Sequence, residues 1–387
     1  MQKIILCVKL SAVKNMIFLD NASTTEMNAV VINEIKSAFS TDFYNISAKY
    51  EPSQNLAKMF NHKKSELIDE LGARDGDIII TGSATIANNL VFTAVNAKNK
   101  GEVIVSLGEH PSVYEVAKKL KDNGANILFC PLTSEGCIDL CKFKNMVSEN
   151  TLFVSCMHVN NETGAINNIK EVVRIAKSKN PNCLVHCDGV QAFMKIDVNL
   201  KELGVDFYTI SAHKIGGPKG IGALWVKDKS KLKPFILGGG QEFNLVSGTE
   251  NYPLLAGFVA AVKLKQKSRA EDFLKVSQSK ELFVEALKRR NIEFKINGEN
   301  TSPYILNVSF KGVRGEALLY LLSERNILVS NGSACSSHKR GNRILQSMGK
   351  TRDEIDGAIR FSFNSIYNYN LEEIAEIVAE EIAKIKH

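Results

Sequence analysis

The segment Ser211-Ala212-His213-Lys214-Ile215-Gly216-Gly217 follows an apolar run that reads as a buried strand. At a strand end that leads into glycines, the Lys214 amine can enter a pocket without crowding from a helix. A lysine whose pKa is lowered by its surroundings forms Schiff bases with carbonyl cofactors. Taken alone, Lys214 reads more simply as a surface lysine in a glycine-rich turn. Leu184-Val185-His186-Cys187-Asp188 puts an acid at another apolar strand end. Burying it is costly without a cation partner, and a protonated cofactor ring nitrogen would be one. Gln191, three residues on, is within reach of a ring oxygen; the plainer alternative is that Asp188 caps the following helix. Thr81-Gly82-Ser83-Ala84-Thr85 opens a helix after a strand, where free N–H groups and the helix dipole favour a phosphate. Ser/Thr clusters are also ordinary helix caps. His110, in Glu109-His110-Pro111-Ser112, follows a further strand end and is a candidate for stacking on a cofactor ring.

These signals gain meaning from their order: phosphate loop, ring histidine, Asn160-Asn161-Glu162-Thr163-Gly164, Asp188-x-x-Gln191, then Ser211-x-His213-Lys214. The order resembles that of the fold-type I pyridoxal-phosphate enzymes of the class V aminotransferase group. Within that group the chain is similar to the cysteine desulfurases of the nitrogen-fixation and housekeeping iron–sulfur type. The motifs that carry the likeness are Leu19-Asp20-Asn21-Ala22-Ser23-Thr24-Thr25, Asn160–Gly164, Cys187–Gln191, Ser211–Lys214, Gly238–Glu242 and Ser333-Ala334-Cys335-Ser336-Ser337. They run through nearly the whole chain from Phe18 onward. The resemblance implies that Lys214 anchors pyridoxal 5'-phosphate and is the proton-transfer base, and that Asp188 keeps the ring nitrogen protonated. It implies that His110 stacks on the ring and shuttles protons. Further cofactor contacts are implied from Ala84, Thr85, Asn161, Gln191, Ser211 and His213, and from Thr249 of a neighbouring subunit in a homodimer. Asn161 and Arg360 are implied to meet the substrate, L-cysteine, Arg360 through its carboxylate, for which a planar fork of donors is suited. Cys335 is implied to take the sulfur as a persulfide and pass it to a scaffold or other acceptor protein. A small-residue stretch such as the one around Cys335 offers the exposure a nucleophilic thiol needs.

Several positions depart from the family pattern. Tyr44-Asn45-Ile46-Ser47-Ala48 stands for Gly-Asn-Pro-Ser-Ser, and Ser83-Ala84-Thr85-Ile86 for Gly-Ala-Thr-Glu. Phe243 and Val246 replace two arginines, and Asn364-Ser365 replaces Gly-Arg. These changes bear on the entrance, the dimer-facing surface and partner choice more than on reaction type. Two alternatives stay open: a selenocysteine lyase or other β-eliminating relative, and a non-catalytic partner subunit that kept the fold.

Such residues need strands that end at one edge of a sheet. Between Ile78 and Trp225 short apolar runs alternate with helical periods, which predicts βαβ units and a mostly parallel sheet with helices on both faces. The strands are expected at Ile78–Ile80, Val103–Ser106, Ile127–Cys130, Phe153–His158, Leu184–Asp188, Phe207–Ser211 and Gly222–Val226, with helices such as Ala87–Ala97, Val113–Asn123 and Ile169–Lys179. A long helical stretch from Leu254 to Arg290 then leads into a smaller α+β domain. The expected division is an extension over 1–15, a segment over 16–27 packing on the small domain, a large cofactor-binding domain over 28–252, and a small domain over 253–387 carrying Cys335. Met16 stands directly before a strand, so 1–15 is either a disordered extension or lies ahead of the true start.

The composition fits that plan. With 387 residues, 44% hydrophobic and 24% charged, the chain has material for a sizeable core and is neither disordered nor fibrous. A net charge of +7, from 49 basic and 42 acidic residues, is spread along the chain, so no nucleic-acid binding is expected. No apolar run is long enough to span a membrane, and a cytoplasmic location is expected. Eight cysteines occur without a Cys-x-x-Cys pair, which argues against zinc ribbons and thioredoxin-like sites and for free thiols. No metal is expected.

Overall fold

The computed structural model describes residues 16–95, 101–332 and 342–386. The extension over 1–15 and the Cys335 segment fall outside that range. After β1 (Ile17–Phe18), α1 (Ala29–Thr41) and α2 (Glu51–Glu70) come the strands of the large sheet. These are β2 (Asp77–Thr81), β3 (Glu102–Ser106), β4 (Ile127–Cys130), β5 (Thr151–Ser155), β6 (Leu184–Asp188), β7 (Phe207–Ser211) and β8 (Gly222–Val226). They lie side by side in the order β2-β8-β7-β6-β5-β3-β4. From β7 to β4 every neighbouring pair is parallel; β8 runs antiparallel to both β7 and β2.

The two faces are filled by alternate residues of the same strands. Ile78 and Ile80 pack on one side of the sheet with Val154, Val185, Cys187 and Tyr208, and Ile79 on the other with Val103, Val105, Phe153 and Leu224, the two sides together making the large core. A strand buried on both faces must be apolar throughout, which is why these strands read as continuous apolar runs. The connections include α3 (Ala84–Val91), α4 (Pro111–Asp122), α5 (Leu140–Met146), α6 (Ile169–Lys179), α7 (Leu200–Leu203) and the single turn α8 (Gln241–Asn244).

The long helix α9 (Tyr252–Arg289) begins two residues ahead of the sequence expectation. Pro253 sits in its first turn, where a missing N–H costs nothing, and Asn251 caps it by accepting from the Leu254 N–H. Its first third packs into the large core through Leu255, Phe258 and Val259. Its last third packs through Val276, Phe283 and Leu287 into a second core. That core also takes the antiparallel strands β9 (Phe294–Ile296), β10 (Ile305–Phe310) and β12 (Ala358–Ser362), with α10 (Gly315–Glu324) and α13 (Leu371–Lys386). The strand β11 (Ile327–Leu328) and the helices α11 (Arg343–Ser347) and α12 (Arg352–Asp356) complete the order.

Two further sequence expectations shift. The strand expected over Phe153–His158 is β5 over Thr151–Ser155, although Cys156 and His158 still donate backbone hydrogen bonds to His186 and Asp188. The helix expected over Ala87–Ala97 begins at Ala84 and ends in a tight turn over Phe92–Ala94. Among the described residues no helix is long and apolar enough to cross a membrane, and every cysteine is a free thiol.

The N-terminal segment crosses between the two cores. β1 pairs in parallel with β11, and Leu19 and Ala22 are buried in the second core. The Ser362 N–H donates to the Leu19 carbonyl, while Thr25 donates to the His213 carbonyl on the other side.

Candidate cofactor and catalytic site

The parallel strands end on one edge, and the turns that follow them carry the candidate side chains. Asp188, at the end of β6, is buried, and its carboxylate accepts from Asn88 Nδ2 at 2.8 Å and from the Val190 N–H at 3.0 Å. Asn88 lies in α3 and also donates to Ser112 Oγ at 2.8 Å. Ser112 Oγ in turn lies 2.8 Å from His110 Nδ1. One hydrogen-bonded chain therefore joins the ring histidine to the strand-end acid through Ser112 and Asn88. His110 also caps α4, its Nδ1 accepting from the Ser112 N–H. His110 as a residue is exposed, yet its ring is desolvated enough to lower its pKa; Lys214 and Arg343 add to that and Asp188 opposes it.

Lys214 ends a short helical turn after β7, and its Nζ donates to the carbonyls of Ala22 at 2.7 Å and Ser23 at 2.5 Å. Burial and the charge of Arg360 bring its pKa down from 10.5 to about 8, against the pull of Asp20 and Asp188. His213 Nδ1 meets Thr24 Oγ1 at 3.2 Å, and burial takes its pKa to about 4. Gln191 Nε2 donates to the same Ala22 carbonyl at 2.8 Å. The N-terminal segment is thus the far wall of the space into which Lys214 and Gln191 reach.

Arg360, in β12, enters from the second core and is almost fully buried. Its guanidinium donates to Asp20 Oδ1 at 2.7 Å, Ser23 Oγ at 2.8 Å and the Asn161 carbonyl at 2.8 Å. Among the described residues its Nε has no partner, and neither has Asn161 Oδ1, although both atoms are buried. Unpaired buried donors and acceptors cost about 1–3 kcal/mol each and call for a ligand or a water.

The loop expected to hold a phosphate lies at the start of α3, where Ser83 Oγ accepts from the Ile86 N–H and Thr85 is exposed. Here β8 comes close: a Cβ on Gly222 would stand 2.6 Å from the Ala84 nitrogen, so only glycine lets the sheet support this turn. Ser211, the last residue of β7, is buried and pairs with Gly222.

These residues fit pyridoxal phosphate in their donor chemistry. A helix start suits its phosphate, a buried carboxylate fixed by two donors suits its ring nitrogen, and a lysine of depressed pKa suits its aldehyde. The structure brings together Lys214, Asp188, His110, Gln191, His213, Asn161 and Arg360, with Ala84 and Thr85 at the start of α3. It does not bring in Thr249, which is exposed beyond α8; Cys335 lies outside the described residues.

Sequence reasoning missed Asn88, Ser112, Asp20 and Glu109. Glu109 is fully buried, takes the Met157 N–H on Oε1 and holds the turn ahead of His110; burial and Asp188 push its pKa well up. Its position beside His110 was the available signal. Asn88, in mid-helix, gave none.

The likeness to known proteins agrees with this arrangement. The family model for class-V aminotransferases matches residues 17–377. The cysteine desulfurase IscS of Rickettsia prowazekii is 32% identical over 380 residues, covering 96% of this chain and 92% of the relative. That of Dictyoglomus turgidum is 32% identical over 378 residues, covering 94% and 95%. Among solved structures, a NifS-like protein superposes with a TM-score of 0.89 at 30% identity, covering 96% of this chain and all of that one. SspA, solved in complex with cysteine, gives 0.79 at 29% identity, covering 89% and 98%. The chain belongs to the class-V aminotransferase family, in its group of IscS- and NifS-like cysteine desulfurases, a pyridoxal-phosphate-dependent fold.

Proposed function

We propose that the protein converts L-cysteine to L-alanine and keeps the sulfur as a persulfide on Cys335. The observation that carries this reading is the convergence of Lys214, Asp188 and Arg360 on one space, with Arg360 Nε and Asn161 Oδ1 left unpaired there. When bound, pyridoxal phosphate supplies an aldehyde that traps the substrate amine and a ring that accepts electrons from the Cα–H bond.

The chain's own residues divide the remaining work. Arg360 holds the substrate carboxylate, for which the ligand displaces or joins Asp20 at the guanidinium, and Asn161 lies beside it. Lys214 Nζ anchors the cofactor and, once released, takes the Cα proton; its lowered pKa leaves a usable share of free amine near neutrality. Asp188 holds the proton on the ring nitrogen, and the Asn88–Ser112 chain keeps that carboxylate and His110 in register. The Cys335 thiolate then bonds to the substrate sulfur while the substrate Cβ–S bond breaks. The electron pair of that bond stays on the carbon, which takes up a proton. Cysteine and enzyme thiol become alanine and enzyme persulfide, and no outside oxidant enters.

The likeness to relatives named cysteine desulfurase IscS supports a protein acceptor for that sulfur. Homodimer formation, with Thr249 completing the partner's phosphate site, is supported by its exposed position and by exposed Phe235, Ile236, Leu237 and Phe243 nearby. A division into a large and a small domain is supported by the cores, which put the boundary within α9, whose first third belongs to the large domain, rather than at 252/253. The deciding experiment incubates the pyridoxal-phosphate-loaded protein with L-cysteine, measures alanine, and maps by mass which residue gains sulfur. Alanine with added sulfur on Cys335 is expected; no alanine, or sulfur elsewhere, overturns the assignment.

A further inference from the structure

The turn after β6 carries a buried lysine that the mechanism above does not use. Lys195 is 7% exposed, and its Nζ donates to Gln191 Oε1 at 2.8 Å, four residues back. The chain reaches this geometry through Met194, a buried residue in the left-handed region at φ 60°, which is uncommon for a side chain of this size. Among the described residues Lys195 forms no ion pair with any carboxylate. The charges that act on it are Lys214, Lys265 and Arg360, all of its own sign, and Asp272 is engaged by Lys265 at 2.8 Å. His213 feels Lys195 in turn, and the Tyr304 ring lies 5.6 Å from its Nζ. A buried amine without a counter-charge is expensive to keep, and burial lowers its pKa to about 7.

What this placement achieves follows from donor and acceptor types. A lysine head offers donors and, when protonated, no acceptor, so it binds the oxygen of a glutamine amide and excludes the nitrogen. With Oε1 taken by Lys195, Gln191 presents only its NH₂ to the other side, where one hydrogen meets the Ala22 carbonyl and the second has no partner among the described residues. A flipped amide would show a carbonyl oxygen to the same space. Lys214 Nζ shares that Ala22 carbonyl, so the orientation of Gln191 and the position of Lys214 are coupled through one acceptor.

We propose that Lys195 is a positioning residue that holds the Gln191 amide so that its NH₂, rather than its oxygen, faces the ring oxygen of bound pyridoxal phosphate. This rests on the proposed cofactor role of Gln191. A fixed donor favours the ionised ring oxygen and so lowers the pH at which the bound cofactor changes its visible absorbance.

The test titrates the absorbance of the loaded enzyme against pH for wild type, Lys195→Met, Lys195→Gln, Gln191→Leu and Lys195→Met with Gln191→Leu. The two Lys195 variants should move the midpoint upward by about one pH unit. Lys195→Arg, which keeps a donor-only head, should hold it near wild type. The double variant should shift no further than Gln191→Leu alone, the non-additivity expected of residues that act through each other. If the Met variant does not fold, the Gln variant carries the test. A midpoint unmoved in the Lys195 variants, or shifts that add in the double variant, overturns the proposal. A wild type without cofactor absorbance would instead defeat the cofactor reading itself.

Discussion

At Lys214 the surroundings decide reactivity. Its amine is buried and crowded by Arg360, so it titrates near 8 where an ordinary lysine titrates at 10.5, even though two carbonyls accept from it. The sign is set by the direction of the shift: the free amine that attacks an aldehyde is present above the folded pKa and lost below it. Uptake of pyridoxal phosphate by cofactor-free protein should therefore accelerate with pH and level off above about 8, as followed by stopped-flow absorbance. A rate still climbing beyond pH 9.5 would mean that the amine is unperturbed. Cys335→Ala tests the other half of the reaction. In the proposed mechanism proton removal at Cα depends on Lys214, Asp188 and Arg360, so the variant should still exchange that proton with deuterated water. Alanine release should fall by roughly 10²-fold or more, with no protein persulfide. Normal alanine and persulfide output would move the nucleophile elsewhere. The strand-end acid, the lysine before the glycines and the histidine were legible in the sequence because each punctuates an apolar run. Asn88 and Lys195 were not, because a mid-helix amide and a turn lysine acquire meaning only from partners distant in sequence or folded back onto them.

Among elements, the parallel strands from β3 to β7 were readable as apolar runs, since burial on both faces leaves no polar alternation. The antiparallel β8 looks the same in sequence, so its direction, and its pairing with β2, could not be read. The N-terminal segment was recognisable as a strand, but not as the wall of the site. Its hold depends on Asn21, whose buried Nδ2 donates to the carbonyls of Phe18 at 3.0 Å and Ser362 at 2.9 Å. Asn21→Ala leaves those carbonyls short of a donor and should cost about 1–3 kcal/mol in denaturant unfolding. It should also weaken cofactor retention, because Ala22 and Ser23 follow directly and position Lys214. Unchanged retention in dialysis would separate the segment from the site.

The molecule as a whole has two cores joined by α9 and by the strap of residues 17–25, with an exposed apolar edge near Thr249. Ile236 and Val246 form a single isolated bridge there, and Leu237 is 81% exposed. Exposed apolar groups gathered in this way mark an interface. If the proposed homodimer forms through this edge, Leu237→Asp should give monomers in sedimentation, and those monomers should retain far less cofactor than the parent protein if Thr249 completes the partner's site. Monomers that keep their cofactor in full would remove Thr249 from the phosphate. The strap has a further consequence, in the order of synthesis. β1 finds its strand partner only at Ile327 and Leu328, about three hundred residues later. At roughly 5–20 residues per second the first strand waits roughly 15–60 seconds after leaving the ribosome. The large sheet and Lys214 can form in that interval, but the wall that holds Lys214 lacks its own support until β11 and β12 emerge. Cofactor capture is then an event of the finished chain, and a ribosome stalled at residue 300 should carry a nascent protein whose residues 16–28 are open to protease.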